Sequence, residues 1–345
     1  METIGILGVE INKITLNQAV KEIEKFLLSG KQHFIVTPNP EFLMAGQKDK
    51  EFKKILNEAD LAIPDGIGLL WAATLQKSEI RNPKSETLKK IRLWARGLFY
   101  GLALMVYPKY CQKVLPERVT GVDLVWEIAR LAEEKNFSVF LLGGEGGIAV
   151  ACALKLKQRY PRLRIVGAER GIQLDQISNF PALRDPRQSR DKFQISNKIP
   201  KSKFQINPTL PPLTLRGGVC NPTQPLLKIR GGKEGLRLNS RINQAKPDIL
   251  LVAFGQVKQE KWIYNNLKKM PNVKVAMGVG GAFDFIAGQA RRAPKLSQKL
   301  GLEWFWRLIF QPWRFNRIMT ATFRFARTVI NDIIKKNSLK GSGRG

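Results

Sequence analysis

The chain has 345 residues, is 43% hydrophobic, and sets 58 Lys and Arg against 28 Asp and Glu, a formal net charge of +30. That length buries a full core as one large domain or two smaller ones, and that charge calls for a polyanion, an anionic membrane surface or a solvated basic tail. Three cysteines without CxxC spacing argue against a disulfide framework or zinc site, and the single histidine, His33, nearly excludes His-based catalysis and His-rich metal sites.

In chain order, the N-terminus lacks a basic region followed by a long apolar one, so no secretory signal is expected. Residues 3–9 read as a strand and 16–29 as a helix with Val20, Ile23, Phe26 and Leu27 on its apolar stripe. The strand 33–36 stops at Thr37-Pro38-Asn39-Pro40, a turn signal. An amphipathic helix over 41–58, a short strand over 61–63 ended by Pro64-Asp65-Gly66, and a helix from 67 follow. Residues 76–116 break the alternation, basic first and then aromatic and apolar, and read as an insertion. Their apolar run from Leu98 to Val106 falls short of the roughly 20 residues that cross a bilayer, but suits an interfacial position.

Alternation resumes with a helix over 119–135, a strand over 138–142, a glycine turn at 143–147, a helix over 148–160 and a strand over 164–167. Residues 178–241 are proline-rich and repetitive: KFQISN at 192 echoes KFQIN at 203, and LRGG at 215 echoes IRGG at 229. This composition predicts a disordered insertion that holds much of the positive charge. A buried strand over 248–254, a turn at Gly255-Gln256, a helix with Gln259 and Glu260, and a strand over 274–279 ending at Gly280-Gly281 complete the pattern. The expected fold is α/β, a Rossmann-like parallel sheet with helices on both faces over residues 1–295. A helical basic C-terminal appendage over 296–335 and a disordered tail over 336–345 follow it.

A parallel sheet gathers its strand C-termini along one edge. There it would place Thr37 and Asn39, Asp65, Gly143 to Gly147, and Gln256, Gln259 and Glu260. Asp65, held between Pro64 and Gly66, suits a catalytic carboxylate; an Asx turn or a helix N-cap would look the same. Glycines such as Gly143 and Gly144 let backbone amides approach a phosphate, although a tight turn alone also demands them. Arg118 faces phosphate or solvent, and His33 is read as structural. In the tail, Arg314, Arg317, Arg324 and Arg327 fall within about a 140° arc of one helix at 100° per residue. Ile318, Met319, Phe323, Phe325, Val329, Ile330 and Ile333 fall mostly opposite them, Arg307 lies among Trp304, Phe305 and Trp306, and Pro312 separates two helices. Such a helix suits an anionic bilayer surface; a terminal helix packed on its own core or on a dimer partner gives the same pattern.

Several blocks together resemble the bacterial WecG/TagA/CpsF family of glycosyltransferases: TPNPEFLMAGQKDKEFKKILNEADLAIPDGIGLLWAA, ERVTGVDLV, FLLGGEGG, PDILLVAFGQVKQEKWI and GVGGAFDFIAGQARRAPKLSQKLGLEWFWRL. The resemblance implies inverting transfer of an N-acetylmannosamine-type sugar from a UDP donor to undecaprenyl-diphosphate-linked GlcNAc. The setting would be the cytoplasmic membrane face, in teichoic-acid linkage units or other surface polysaccharides. It implies no cofactor and no bound metal. Carried over by motif, Asp65 of PDGIG would be the general base and Thr37 and Asn39 would position substrate. Arg118 and Gln259 would contact diphosphate or sugar, and Gly143 and Gly144 would cradle the nucleotide. Arg307, Arg314 and Arg317 would meet the lipid diphosphate or the UDP phosphates at an anionic membrane surface. Residues 94–110 suggest a second interfacial contact. A homo-oligomer fits the resemblance as well. The rivals are an inactive membrane-bound scaffold of the same family and a basic nucleic-acid-binding protein; no RNA- or DNA-binding signature is present, so no nucleic-acid partner is expected.

Overall fold

The computed structural model describes residues 1–78, 86–106, 108–169, 231–290, 293–294, 297, 303–310 and 312–342. The chain opens on a hairpin, β1 (Thr3–Ile6) and β2 (Val9–Asn12), where the sequence suggests one strand over 3–9. Leu7 and Gly8 both take positive φ, 51° and 76°, as a two-residue hairpin turn matched to strand twist requires. The hairpin forms its own small sheet and does not join the parallel one. It does reach that sheet's edge, where Asn12 Oδ1 accepts a hydrogen bond from Ala62 N at 2.7 Å.

Six parallel strands form the main sheet: β3 (His33–Val36), β4 (Leu61–Ala62), β5 (Ser138–Gly143), β6 (Arg164–Glu169), β7 (Ile249–Ala253) and β8 (Val275–Gly278), in the order β4-β3-β8-β7-β5-β6. The central strands are nearly continuous apolar runs because both faces are covered. Ile35, Leu61, Val139, Leu141, Ile249, Leu251, Val275 and Met277 share one core with α1 (Leu16–Leu28), α6 (Gly121–Glu134), α7 (Ile148–Arg159) and α10 (Ala282–Ile286). The alternate residues, among them Phe34, Val36, Phe140, Leu250 and Val252, are buried too. On that face α9 (Lys258–Asn266) packs on β3, β7 and β8, with α3 (Lys50–Asn57) against it. The Rossmann-like expectation of helices on both faces therefore holds. The chain leaves β5 for the edge strand β6 but leaves β7 for β8 on the other side, so the connections diverge between β5 and β7, the switch point beside which open α/β sheets hold ligands.

Of the stretch expected as an insertion over 76–116, residues 79–85 and 107 lie outside the described residues, and the rest is bound into the fold. Helix α4 (Ile67–Lys77) is followed by α5 (Glu86–Val106), which packs on it. The Trp71 indole donates to Gly97 O at 2.8 Å, and Thr74 Oγ1 donates to Cys111 O at 3.0 Å. Of the stretch expected to be disordered, 178–230 lie outside the described residues, whereas 231–241 begin α8 (Gly231–Ala245), a correction to that reading.

The appendage comprises α11 (Glu303–Phe310), a 3-10 turn at Pro312–Arg314, α12 (Phe315–Met319), a π-turn at Thr320–Arg324 and α13 (Phe325–Ser342). Pro312 separates two helices as expected. The tail over 336–345 is helical as far as Ser342, which corrects the expectation of disorder there. The apolar side of α13, with Phe325, Val329, Ile330, Ile333 and Ile334, is buried. Phe325 sits 6.4 Å from the Trp71 ring, so this stripe faces the protein's own core and is not offered to a bilayer. Phe323, placed on the same stripe by a straight 100° spacing, is exposed because the π-turn adds a residue before α13.

Candidate active site

Asp65 stands in the turn that follows β4. Its N–H donates to Pro38 O, and Val119 N donates to Pro64 O, both at 2.9 Å. These bonds clamp the Pro64-Asp65 backbone between the end of β3 and the approach to α6. The N-cap position of α4 is taken by Gly66, one residue beyond Asp65. The carboxylate lies by the start of α6: a Cβ on Gly121 would come within 3.8 Å of Asp65 Oδ2. A helix start is a place where negative charge, carboxylate or phosphate, is favoured. The turn after β3 touches this one. A Cβ on Gly66, whose φ is +152°, would meet Pro40 Cδ at 2.9 Å and Asn39 Cβ at 3.5 Å. Thr37 is buried at the end of β3. Asn39 Oδ1 accepts from Phe42 N at 3.0 Å and caps α2 (Pro40–Lys48), an interaction worth about 1 kcal/mol. Asp65, Thr37 and Asn39 thus come together as the sequence suggests, and Asn39 also carries a structural duty.

The glycine turn divides in two. Gly143 and Gly144 have φ of 110° and 75°. A Cβ on Gly143 would fall 2.5 Å from Ala253 O, and Gly144 N donates to that same oxygen at 3.0 Å. This pair ties the ends of β5 and β7 together. Gly146 and Gly147, at φ 61° and 85°, have open space around them and lead directly into α7. The part of the turn with room for a phosphate against backbone amides is 146–147, two to three residues beyond the glycines singled out from the sequence.

Gln259 and Glu260 are buried behind the end of β8. A Cβ on Gly278 would come within 2.5 Å of Glu260 Oε1 and 2.6 Å of Gln259 Nε2. Glu260 accepts from Val257 N at 2.8 Å and from Gln259 Nε2 at 2.6 Å, while Gln259 Oε1 accepts from Gly280 N at 3.0 Å. Val257 has φ of 70°, a costly conformation for a β-branched residue. The Glu260 carboxylate is what holds that amide. Complete burial pushes the Glu260 carboxyl up to about 7, against the opposing pull of its hydrogen bonds from Gln259 and the backbone. Gln259, expected to touch diphosphate or sugar, braces the turn after β7 to the turn after β8 in this structure.

A second carboxylate, Asp284, was not singled out among the sequence candidates although it stands in the quoted GGAFDF block. It begins beyond β8, and burial raises its carboxyl above the usual range; Arg314 pulls it down and Glu145 of the glycine turn pushes it up. Those neighbours place Arg314 of the appendage and the β5–α7 turn around one carboxylate. Two ion pairs join appendage and core. Arg317 Nε and Nη2 both donate to Glu41 Oε2, at 3.0 and 2.8 Å, and Arg118 Nη2 lies 3.1 Å from Glu303 Oε2 at the start of α11. The structure therefore assembles Arg118, Arg314 and Arg317 near the sheet edge through acids that the sequence reading passed over. Glu41 could have been noticed as an acid in the first turn of α2, the usual complement to a helix dipole. Arg307 is carried by α11, and its side chain lies outside the described residues. Cys111 and Cys152 are buried, and burial pushes the Cys152 thiol up to about 12, so neither is poised as a nucleophile at neutral pH. His33 begins β3, at the opposite end from this edge, stacked on Phe26. Among the described residues no three His, Cys, Asp or Glu side chains converge to hold a metal.

A carboxylate on a clamped turn, an open glycine turn before a helix and a set of arginines folded back on the sheet edge can bind a phosphorylated donor and remove a proton from an acceptor. The profile of the "Glycosyl transferase WecG/TagA/CpsF family" matches residues 4–94, 98–206 and 217–339. An N-acetylglucosaminyldiphosphoundecaprenol N-acetyl-beta-D-mannosaminyltransferase of Bacillus subtilis (strain 168) is 23% identical over 333 residues, 96% of this chain and 93% of the relative. A transferase of the same name from Staphylococcus aureus (strain MRSA252) is 23% identical over 317 residues, 91% and 87% of the two chains. With all of its core blocks inside the matched range, the chain belongs to the WecG/TagA/CpsF family and is a glycosyltransferase.

Proposed function

We propose that this glycosyltransferase moves N-acetylmannosamine from a UDP donor onto the GlcNAc of a polyprenyl-diphosphate acceptor, with inversion at the anomeric carbon. The observation that carries the reading is the placement of Asp65, fixed by backbone clamps on both sides, beside Asn39 and the start of α6. In the proposed step Asp65 takes the proton from the acceptor hydroxyl as that oxygen bonds to the anomeric carbon, and the bond from that carbon to UDP breaks. One carboxylate suffices, because a diphosphate leaves without needing a proton. Thr37 and Asn39 hold the reacting sugars at Asp65. Gly146 and Gly147 offer amides to the nucleotide phosphates, and Arg314 and Arg317 exchange their acids for phosphate oxygens when substrate enters. The names of the relatives, which specify an undecaprenyl-diphosphate acceptor, support this choice of substrate. Among the described residues no helix is long and apolar enough to cross a membrane. In this reading the enzyme works from the cytoplasmic face, held to the membrane peripherally and serving cell-surface polysaccharide or teichoic-acid synthesis.

The test is UDP release from UDP-N-acetylmannosamine with a short-chain, water-soluble GlcNAc-diphosphate-lipid acceptor. Asp65→Asn is expected to lower kcat by at least about a hundredfold, the scale of a general base, with its thermal midpoint unchanged. Undiminished kcat in that variant would remove Asp65 from the chemistry.

A further inference from the structure

Helix α5 has two faces. At 100° per residue, Ile91, Trp94, Ala95, Leu98 and Phe99 lie within about 140° of one another, and Leu93 and Gly97 lie on the far side. The far side is packed. Leu93 is buried, and a Cβ on Gly97 would meet the Trp71 ring at 3.1 Å and Ile330 Cδ1 at 3.9 Å. The near side is bare: Ile91 is 58% exposed, Trp94 41%, Leu98 67% and Phe99 56%. Scattered apolar residues on a surface mean little, but a continuous stripe of this size on one helix marks a contact surface. The same helix carries Lys89, Lys90, Arg92 and Arg96 against one acid, Glu86. Lys90 and Arg92 flank the stripe on either side, as in helices that lie in a membrane surface.

We infer that the outer face of α5 is a membrane-docking surface, seated in the plane of an anionic bilayer. It lies on the side of α5 turned away from α13, the last helix of the appendage, on which the inner side of α5 packs, and is joined to the catalytic edge through α4. The charge decides between a lipid and a second copy of the chain. A two-fold pairing would bring Lys90 and Arg92, which flank the stripe on its two sides at 100° per residue, towards their own copies, whereas anionic headgroups neutralise them. Two inner contacts make the placement useful. Trp71 of α4 is hydrogen-bonded to α5 at Gly97, and α4 starts directly after Asp65. Seating α5 therefore fixes the height of the Asp65 turn above the lipid surface. The inference rests on the lipid-linked acceptor for its purpose, but its test does not use that substrate.

The experiment is co-sedimentation of the full chain with phosphatidylcholine vesicles and with vesicles that also contain phosphatidylglycerol. The native chain is compared with the triple variant Trp94→Glu, Leu98→Glu, Phe99→Glu. Binding to the anionic vesicles is expected to weaken on the order of tenfold or more in the variant. An environment-sensitive dye on Leu98→Cys, in an otherwise native chain, should shift to the blue when anionic vesicles are added; this arm does not depend on the triple variant folding. Unchanged vesicle binding by a folded triple variant, or no dye shift, would overturn the inference. A triple variant that binds vesicles normally but loses self-association would overturn it in favour of a second copy as the occupant. Failure of UDP release on the soluble acceptor by the native chain would count against the proposed reaction and leave the vesicle result standing.

Discussion

Glu260 gives the site a pH-dependent fault line. Its carboxyl is raised to about 7 by full burial, and in the unfolded chain it would return to the ordinary value near 4.5. A raised folded value means that folding binds this proton more tightly. The stabilisation is fully present below about pH 4.5 and is lost as pH climbs through 7. Worked through the two values, the loss between pH 5.5 and pH 8 is about 2 kcal/mol. Glu260→Gln removes the titration. It costs about 1–3 kcal/mol at every pH, since one of the two donors now at the carboxylate is left facing an amide NH2, and that constant cancels in the difference between the two pH values. Urea unfolding followed by tryptophan fluorescence at pH 5.5 and 8 should therefore show the native chain losing about 2 kcal/mol more than the variant over that interval. Identical losses in both proteins would refute the reasoning and show that the buried carboxylate does not titrate in this range.

Other expectations follow from the same contacts. Arg317→Ala should raise KM for the lipid-diphosphate acceptor on the order of tenfold, the scale of one charge-assisted hydrogen bond, while the exposed pair with Glu41 contributes no more than about 1 kcal/mol to stability. A variant that instead loses kcat at unchanged KM would place Arg317 at the reacting bond. Gly143→Ala should destabilise by more than about 2 kcal/mol in thermal unfolding, since it combines a φ of +110° with a Cβ 2.5 Å from Ala253 O. Gly146→Ala, with open space around it, should cost only about 1–2 kcal/mol and should act mainly on nucleotide binding, measured by calorimetry with UDP.

Much of the fold was legible because its strands announce themselves. Apolar runs such as Ser138 to Leu142 and Ile249 to Val252, each followed by glycine or a polar turn, carry the period and punctuation of a sheet covered on both faces. Asp65, Thr37 and Asn39 were legible for the same reason, as polar residues just past strand ends. The failures share a different cause. The hairpin at Leu7-Gly8 depends on φ values that Leu does not advertise. Helix α5 looked foreign because its composition breaks the alternation, yet its inner face fits Trp71 through a glycine whose small size the sequence does not explain. Gln259 was read as a ligand contact because it is polar and near a strand end; only the positions of Glu260 and Gly280 reveal it as a brace. Glu41, Glu303 and Asp284 matter through partners far along the chain, Arg317, Arg118 and Arg314, and such pairings have no local signature.

The π-turn at 320–324 works as a phase coupling between two halves of one rod. Phe325 N donates to Thr320 O, five residues back, so the turn holds one residue more than an α-helix would allot it. Downstream, the rod is keyed by Phe325 against Trp71 and cannot rotate. Upstream, α12 carries Arg317 to Glu41. Excising one residue from the turn would restore a plain α-helix with its two halves still in phase, because the wide turn already absorbs the extra residue, whereas inserting one more would swing everything upstream by about 100°, roughly a quarter of a revolution. The arginines would then be indexed to the wrong side of the sheet edge while the core stayed intact. A single-residue insertion there would act as a gear slip, and a deletion or a substitution would not.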